Sequence, residues 1–204
     1  ATSIPPHNLT EIIDGTIHLI EHPDASIDDL MEFIKGPDFP TGGIIFNKRD
    51  IAHAYGTGKG SIVMRAKTDI VEEANGQFRI IVTEIPYQVN KSTLIEHIAQ
   101  LVTDKKLDGI KDLRDESDKD GVRIVIELKK DTYPQKILNR LYKLTQLQTT
   151  FHVNMLALVD GIQPRVLHLK AILEEFIKHR EVVVRRRTGY ELARAKERSH
   201  ILEG

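Results

Sequence analysis

Ser61-Ile62-Val63-Met64-Arg65-Ala66-Lys67-Thr68-Asp69-Ile70-Val71 is followed, across Asn75-Gly76, by Phe78-Arg79-Ile80-Ile81-Val82-Thr83-Glu84-Ile85. Both runs alternate at period two, and Asn-Gly between such runs is a strong hairpin signal. The pair predicts an antiparallel β unit, and the sequence downstream extends it. Lys91 to Lys105 reads as an amphipathic helix with Leu94, Ile95, Ile98, Leu101 and Val102 on one face. Ile110–Arg114 and Val122–Leu128 form a second strand pair across an acidic turn. Pro134, at a first helical turn, opens a helix carrying Ile137, Leu138 and Leu141. Phe151–Val159, Asp160-Gly161 and Arg165–Leu167 give a last hairpin. The expected class is α+β: an antiparallel-sheet body with flanking helices.

Upstream, each residue before a proline in Ile4-Pro5-Pro6-His7 is pushed out of the helical basin. Asn8-Leu9-Thr10-Glu11 has the spacing of a capping box in Asn form. Ile12, Ile13, Ile17 and Ile20 follow at helical spacing until Pro23, and Ser26-Ile27-Asp28-Asp29 starts a short second helix through Leu30, Phe33 and Ile34. Gly36 to Gly43 reads as a rigid loop feeding a short strand, Ile44-Ile45-Phe46, and Arg49–Tyr55 as one short helix. From Leu169 the pattern changes. Leu169, Leu173, Phe176, Val183, Tyr190 and Ile201 follow a three-and-four spacing, with Arg180, Arg187, Arg194 and Glu197 in the intervening seam positions. No proline follows Pro164, so one uninterrupted helix is expected, apolar early and charged late, as a coiled-coil arm leaving a globular body.

The chain has 204 residues, 40% of them hydrophobic, which suffices for a real core. Lys plus Arg number 29 against 30 for Asp plus Glu, so any nucleic-acid role rests on local patches rather than on a global field. Zero Cys excludes disulfide scaffolds, thiolate zinc sites and Cys nucleophiles. No apolar run approaches the roughly 20 residues that span a bilayer. The N-terminus lacks an initiator Met and a signal-peptide layout, and the C-terminus stops inside a continuing helix, so a fragment of a longer chain is expected.

Three patterns invite a catalytic or ligand reading. His18-Leu19-Ile20-Glu21-His22 matches H-x-x-E-H, which on a helix puts two imidazoles on one face for zinc with Glu21 as base. Pro23 leaves His22 at a frayed end, and a solvated helix face is the default reading. Glu116-x-Asp118-x-Asp120-Gly121 with Glu127 nearly reproduces a calcium loop. Its first position is Glu rather than Asp, Arg123 replaces an apolar residue, and strands rather than helices flank it. Gly56-Thr57-Gly58-Lys59-Gly60-Ser61 fits neither a Walker loop nor a dinucleotide fingerprint, yet its backbone amides beside Lys59 suit a nucleic-acid phosphate. Two basic features remain. Lys48, Arg49, Lys59, Arg65 and Lys67 lie close in sequence, with Arg65 and Lys67 on one strand face and Met64 and Ala66 on the other. A second basic run covers Lys178 to Arg198, where a solvated coiled-coil face is the plainer account.

Several longer stretches carry a family resemblance. They include Ile4-Pro5-Pro6-His7-Asn8-Leu9, Gly36-Pro37-Asp38-Phe39-Pro40-Thr41 and Thr83-Glu84-Ile85-Pro86-Tyr87-Gln88-Val89-Asn90-Lys91. Asp112 to Asp118, Arg186 to Leu192 and His200 to Gly204 belong with them. In this order, end to end, they resemble the breakage–reunion subunit, the A subunit, of bacterial type IIA DNA topoisomerases. Phe151 to Gly161 is more similar to the DNA gyrase branch than to topoisomerase IV, whose A subunit is the alternative.

The resemblance implies that residues 1–25 leave a winged-helix domain, 26–167 form the tower domain, and 168–204 start the coiled coil. It implies an ATP-dependent enzyme that introduces negative supercoils, working on double-stranded DNA in the bacterial cytoplasm at the nucleoid, with no membrane role. The A subunit would form a homodimer within an A2B2 complex with the gyrase B subunit, and Mg²⁺ and ATP would sit on that partner, with no cofactor on this chain. The family's nucleophile is a Tyr beside an Arg in the winged-helix domain. Tyr55, Tyr87, Tyr133, Tyr142 and Tyr190 all lack a preceding Arg, so no catalytic residue is assigned here and the isolated segment is expected to be inactive. Its share of the work is mechanical: to support and bend the gate duplex. The candidate phosphate contacts are Arg49, Lys59, Arg65 and Lys67, with Lys48 and Lys91 beside them. A pure interaction module dimerising along the Leu169 seam and a zinc hydrolase at His18, Glu21 and His22 are the competing classes.

Overall fold

A computed structural model describes residues 3–204; Ala1 and Thr2, where the expected winged-helix exit begins, lie outside the described residues. In chain order the elements are α1 (Leu9–Glu21), α2 (Ile27–Met31), β1 (Ile44–Ile45), α3 (Lys48–Thr57), β2 (Lys59–Arg65), β3 (Lys67–Glu72) and β4 (Phe78–Glu84). They continue with α4 (Lys91–Thr103), β5 (Ile110–Asp115), β6 (Ile124–Leu128), α5 (Pro134–Leu144), β7 (Gln148–Asn154), β8 (Leu156–Val159), β9 (Gln163–Val166) and α6 (Leu169–Glu203). The α+β class is as expected. The chain makes two compact units interleaved in sequence: one holds the residues through His7, Pro37–Ile51 and Gly60–Val153, the other Asn8–Gly36, Ala52–Lys59 and Asn154–Gly204.

The first unit is built on a four-stranded sheet ordered β3-β4-β6-β5. β3 and β4 pair antiparallel from Glu72↔Phe78, closing the hairpin at Asn75-Gly76. The Gly76 amide donates to the Glu73 carbonyl and the Glu73 amide to Gln77, with Gly76 at φ 79°, so the glycine takes the left-handed position of the turn. β4 continues onto β6 through Ile80↔Ile126 and Val82↔Ile124, and β6 onto β5. Leu94, Ile98 and Leu101 of α4, with Ile137, Leu138 and Leu141 of α5, bury against Ile80, Val82, Ile124, Ile126 and Leu128 in one core.

The run from Ser61 to Val71, expected as one strand, is two. Ala66 breaks it: its amide donates to the Leu147 carbonyl at 2.8 Å, β2 joins the sheet β1-β2-β7, and β3 joins the four-stranded sheet. Ile62, Met64 and Ala66 stay buried throughout, so the alternation survives while the hydrogen-bonding partner changes. The run expected from Phe151 to Val159 is likewise broken, at Met155, whose amide donates to the Gly58 carbonyl.

In the second unit Asn8 caps α1, its Oδ1 accepting the Glu11 amide, while Glu11 Oε1 accepts the Lys35 amide at 2.8 Å. Of the isoleucines that mark α1 by their helical spacing, Ile13, Ile17 and Ile20 are exposed, and the buried residues of the helix are Gly15 and Leu19. Gly15 lies so near Ile34 that a Cβ there would come within 2.7 Å of its Cδ1. α6 runs 35 residues without a break, roughly 50 Å at helical rise. His168 caps it, its Nδ1 accepting the Ala171 amide. Leu169 and Leu173 are its buried residues, and the helix is apolar early and charged late, as its sequence foretells. No helix among the described residues is long and apolar enough to cross a membrane.

Candidate nucleic-acid interface

Lys48 and Arg49 form the exposed first turn of α3, and the Arg49 amide donates to Asn47 Oδ1 at 2.9 Å. Two cations at a helix N-terminus oppose the macrodipole, and an anion placed there would satisfy cations and dipole together. Lys67 opens β3, exposed. Neither Lys48, Arg49 nor Lys67 makes an ion pair among the described residues.

Arg65 has a different setting. Its guanidinium lies 3.8 Å from the Phe46 ring centroid and 4.5 Å from that of Tyr142, and Nε donates to Gln148 Oε1 at 2.6 Å. A planar guanidinium held between two rings and a carboxamide ties β2 to its neighbours. Arg65 and Lys67, expected on one strand face, belong to different sheets because of the break at Ala66. Lys91 opens α4 and pairs with Asp115 at 3.0 Å. Hydrogen bonds from Ser117 foremost, and then Lys91, lower the Asp115 carboxyl to about 2.

Lys59 stands at the start of β2, exposed, in the second unit. The glycine loop before it is not a free phosphate cradle. The Gly58 amide donates to the Ala54 carbonyl and the Lys59 amide to Thr57 Oγ1. Gly58 has φ 81° and a Cβ would meet the Leu167 carbonyl oxygen at 2.5 Å. That glycine is required by chain geometry and close packing.

The stretches that carry the family resemblance include several joints of the first unit. Phe39 stacks on Tyr87 at 5.1 Å and approaches Phe151 at 5.7 Å. Gln88 takes φ 67° in the turn closed by the Val89 amide on the Pro86 carbonyl, and Asn90 Oδ1 then caps α4 through the Thr93 amide. Arg114 bridges Glu127 at 2.8 Å and Asp112 at 3.0 Å, and those bonds, Glu127's first, hold its guanidinium pKa above the ordinary value.

The metal-like motifs are also occupied by local structure. His18 and His22 stack ring on ring at 4.4 Å, and stacked rings do not aim two lone pairs at one ion. Glu127, the last position of the calcium-like pattern, is engaged by Arg114. Among the described residues no three His, Cys, Asp or Glu side chains are grouped to hold a metal. Burial raises the Tyr55 phenol well above its ordinary pKa, Tyr142 OH bonds Thr68 Oγ1, and Tyr190 OH accepts from Arg194.

A second basic cluster lies outside the residues that sequence pattern singles out. The β5–β6 register, with Ile110 opposite Leu128, brings Lys105-Lys106 and Lys129-Lys130 to one end of the sheet. Two Lys-Lys pairs flanking an antiparallel pair are the signal that marks it in the sequence.

The whole chain, residues 1–204, matches the family of the A subunits of DNA gyrase and topoisomerase IV, and belongs to it. Among its relatives, the DNA gyrase A subunit of Clostridium acetobutylicum is 61% identical over 204 residues, which are 100% of this chain and 24% of that protein. The DNA gyrase A subunit of Halalkalibacterium halodurans is 60% identical with the same coverage. That of Pseudomonas aeruginosa is 56% identical, covering all of this chain and 22% of the relative. The chain therefore spans about a quarter of the length of the curated relatives it matches.

Proposed function

We propose that this chain is the DNA-supporting and linking segment of a DNA gyrase breakage–reunion subunit. The observation that carries the reading is the end-to-end match at 56–61% identity to proteins named as DNA gyrase A subunits. Those names favour gyrase over topoisomerase IV. Residues 26–167 act as the tower, 168–204 as the start of the coiled-coil arm, and 1–25 as the exit from the winged-helix domain. The complete enzyme introduces negative supercoils with ATP and Mg²⁺ held on the B subunit, as an A2B2 assembly in the bacterial cytoplasm at the nucleoid. This chain's own residues do neither cleavage nor ATP hydrolysis. Its five tyrosines are buried, stacked, on the long helix or otherwise outside an Arg-Tyr context.

Bending a gate duplex of about 20–30 bp by 40–90° costs on the order of 1–6 kcal/mol, which contacts to the DNA arms must offset. Lys48, Arg49 and Lys67 supply phosphate contacts from the first unit, since their charges are exposed and make no ion pair among the described residues. Lys59 supplies one from its own position. Arg65 and Lys91 contribute through the surfaces they brace, Arg65 by holding Phe46 and Tyr142 and Lys91 by holding Asp115. Contacts of this kind position DNA without reading sequence.

The test is a fluorescence-anisotropy titration of a labelled duplex of about 30 bp at about 50 and 200 mM salt. The reading expects micromolar binding without sequence preference that weakens several-fold at the higher salt. Absence of binding at both salts overturns direct support of DNA by this segment.

A further inference from the structure

Where the C-terminus of α4 meets the end of the four-stranded sheet, the α4–β5 and β6–α5 loops line an open cleft of about 440 Å³. Lys105, Lys106, Lys136 and Arg140 line it, opposed by Asp108 and Asp131. Asp108 is already paired with Lys129 at 3.7 Å. Lys105, Lys106 and Lys136 make no ion pair among the described residues. In a chain of net charge -1, this is a concentrated positive site in a concave wall.

The wall is held in place. α4 ends with the Lys106 amide on the Leu101 carbonyl and the Lys105 amide on Val102, a Schellman turn. Its left-handed residue is Lys105, at φ 58°, where glycine is the usual choice. Asp131, on the opposite loop, also has φ 58°. Arg140 Nη2 donates to the Lys106 carbonyl at 2.9 Å, and Gly109 lies so close to α5 that a Cβ would meet Ile137 Cδ1 at 2.7 Å. The two loops are thus braced, and they converge four cations on the cleft. Tyr133 stands at the rim, 77% exposed.

We propose that this cleft binds the oligophosphate chain of a small molecule, a nucleoside triphosphate being the class whose base the Tyr133 ring would stack. A concave pocket of this volume admits clustered phosphates, whereas a duplex offers its phosphates on a convex rail. The proposal is independent of the gyrase reading.

The experiment is a titration of the isotope-labelled chain with sodium tripolyphosphate, ATP, sulfate at matched ionic strength, and a duplex of about 30 bp, followed by amide shifts. Tripolyphosphate is expected to move the Lys105–Gly109 and Thr132–Lys136 amides saturably with Kd near or below about 1 mM. ATP is expected to move them too and to shift the Tyr133 ring. Lys105→Gly removes a charge while relieving the backbone, so it should raise stability yet weaken tripolyphosphate at least about threefold. Lys136→Glu places an acid in the first turn of α5, where the dipole favours it, and should weaken binding at least as much. The proposal is overturned if no saturable shift occurs by about 10 mM, if sulfate matches tripolyphosphate, or if neither variant weakens it. It is equally overturned if the duplex moves these amides at lower concentration than tripolyphosphate, which would make the site a DNA contact.

Discussion

The four-stranded sheet with α4 and α5 and the long helix α6 hold their shapes by different means. In the sheet body, Ile80, Val82, Leu94, Ile124, Ile126 and Leu141 are completely buried, and side chains far apart in sequence lock to one another. α6 buries Leu169 and Leu173 near its start and then runs largely exposed for the rest of its length. Its order there rests on backbone hydrogen bonds and on local pairs such as Arg194–Tyr190. The sheet is therefore sensitive to single atoms and the distal helix to propensity.

Leu141→Ala should produce the largest difference. Emptying a fully buried site costs about 2–5 kcal/mol, while Leu202→Ala, at 80% exposure, should cost under about 0.5 kcal/mol. Chemical denaturation of both variants measures it, and equal losses would break the contrast.

Gly109→Ala comes next. Its φ of 93° and the 2.7 Å approach to Ile137 predict a loss of about 1–3 kcal/mol in the same assay.

Arg65→Lys keeps the charge but loses the planar fork between Phe46 and Tyr142, for about 0.5–2 kcal/mol. If lysine were as stable as arginine there, the stacked geometry would have no structural value.

Asp115 gives a pH signature. Its folded pKa, about 2, lies below the unfolded value near 3.9, so its stabilisation is present above about pH 4 and fades as pH falls toward 2. The stability gap between the natural chain and Asp115→Asn should shrink across that window; a gap constant with pH would refute the Ser117 and Lys91 assignment.

Smallest is Gly189→Ala on α6, where a Cβ would meet nothing within 4 Å. It should raise local helix stability by up to about 1 kcal/mol in amide exchange and leave the sheet's unfolding midpoint unchanged.

Most elements were legible because their signals are local. Asn75-Gly76 marked the hairpin, Pro134 the start of α5, and the absence of proline after Pro164 the length of α6. The breaks at Ala66 and Met155 were not, because buried alternation runs straight through Ala66 with neither glycine nor proline to mark the change of sheet. In α1 the isoleucine spacing marks the helix, but periodicity does not say whether that face or the Gly15–Leu19 face is covered. Among the candidate cations, the charge and clustering of Lys48, Arg49 and Lys67 could be read, while their exposure is visible only in the structure. The partners that engage Arg65 and Lys91 could not, since Lys91 meets Asp115 and Arg65 meets Phe46 and Tyr142 through tertiary structure alone.

The most direct measurement is the salt dependence of duplex binding by the natural chain and by a Lys48→Ala/Arg49→Ala/Lys67→Ala variant. Three lost phosphate contacts should reduce the slope of log K against log salt by about 2–3, with little change in sequence preference. An unchanged slope and affinity would contradict the claim that these exposed cations carry the DNA.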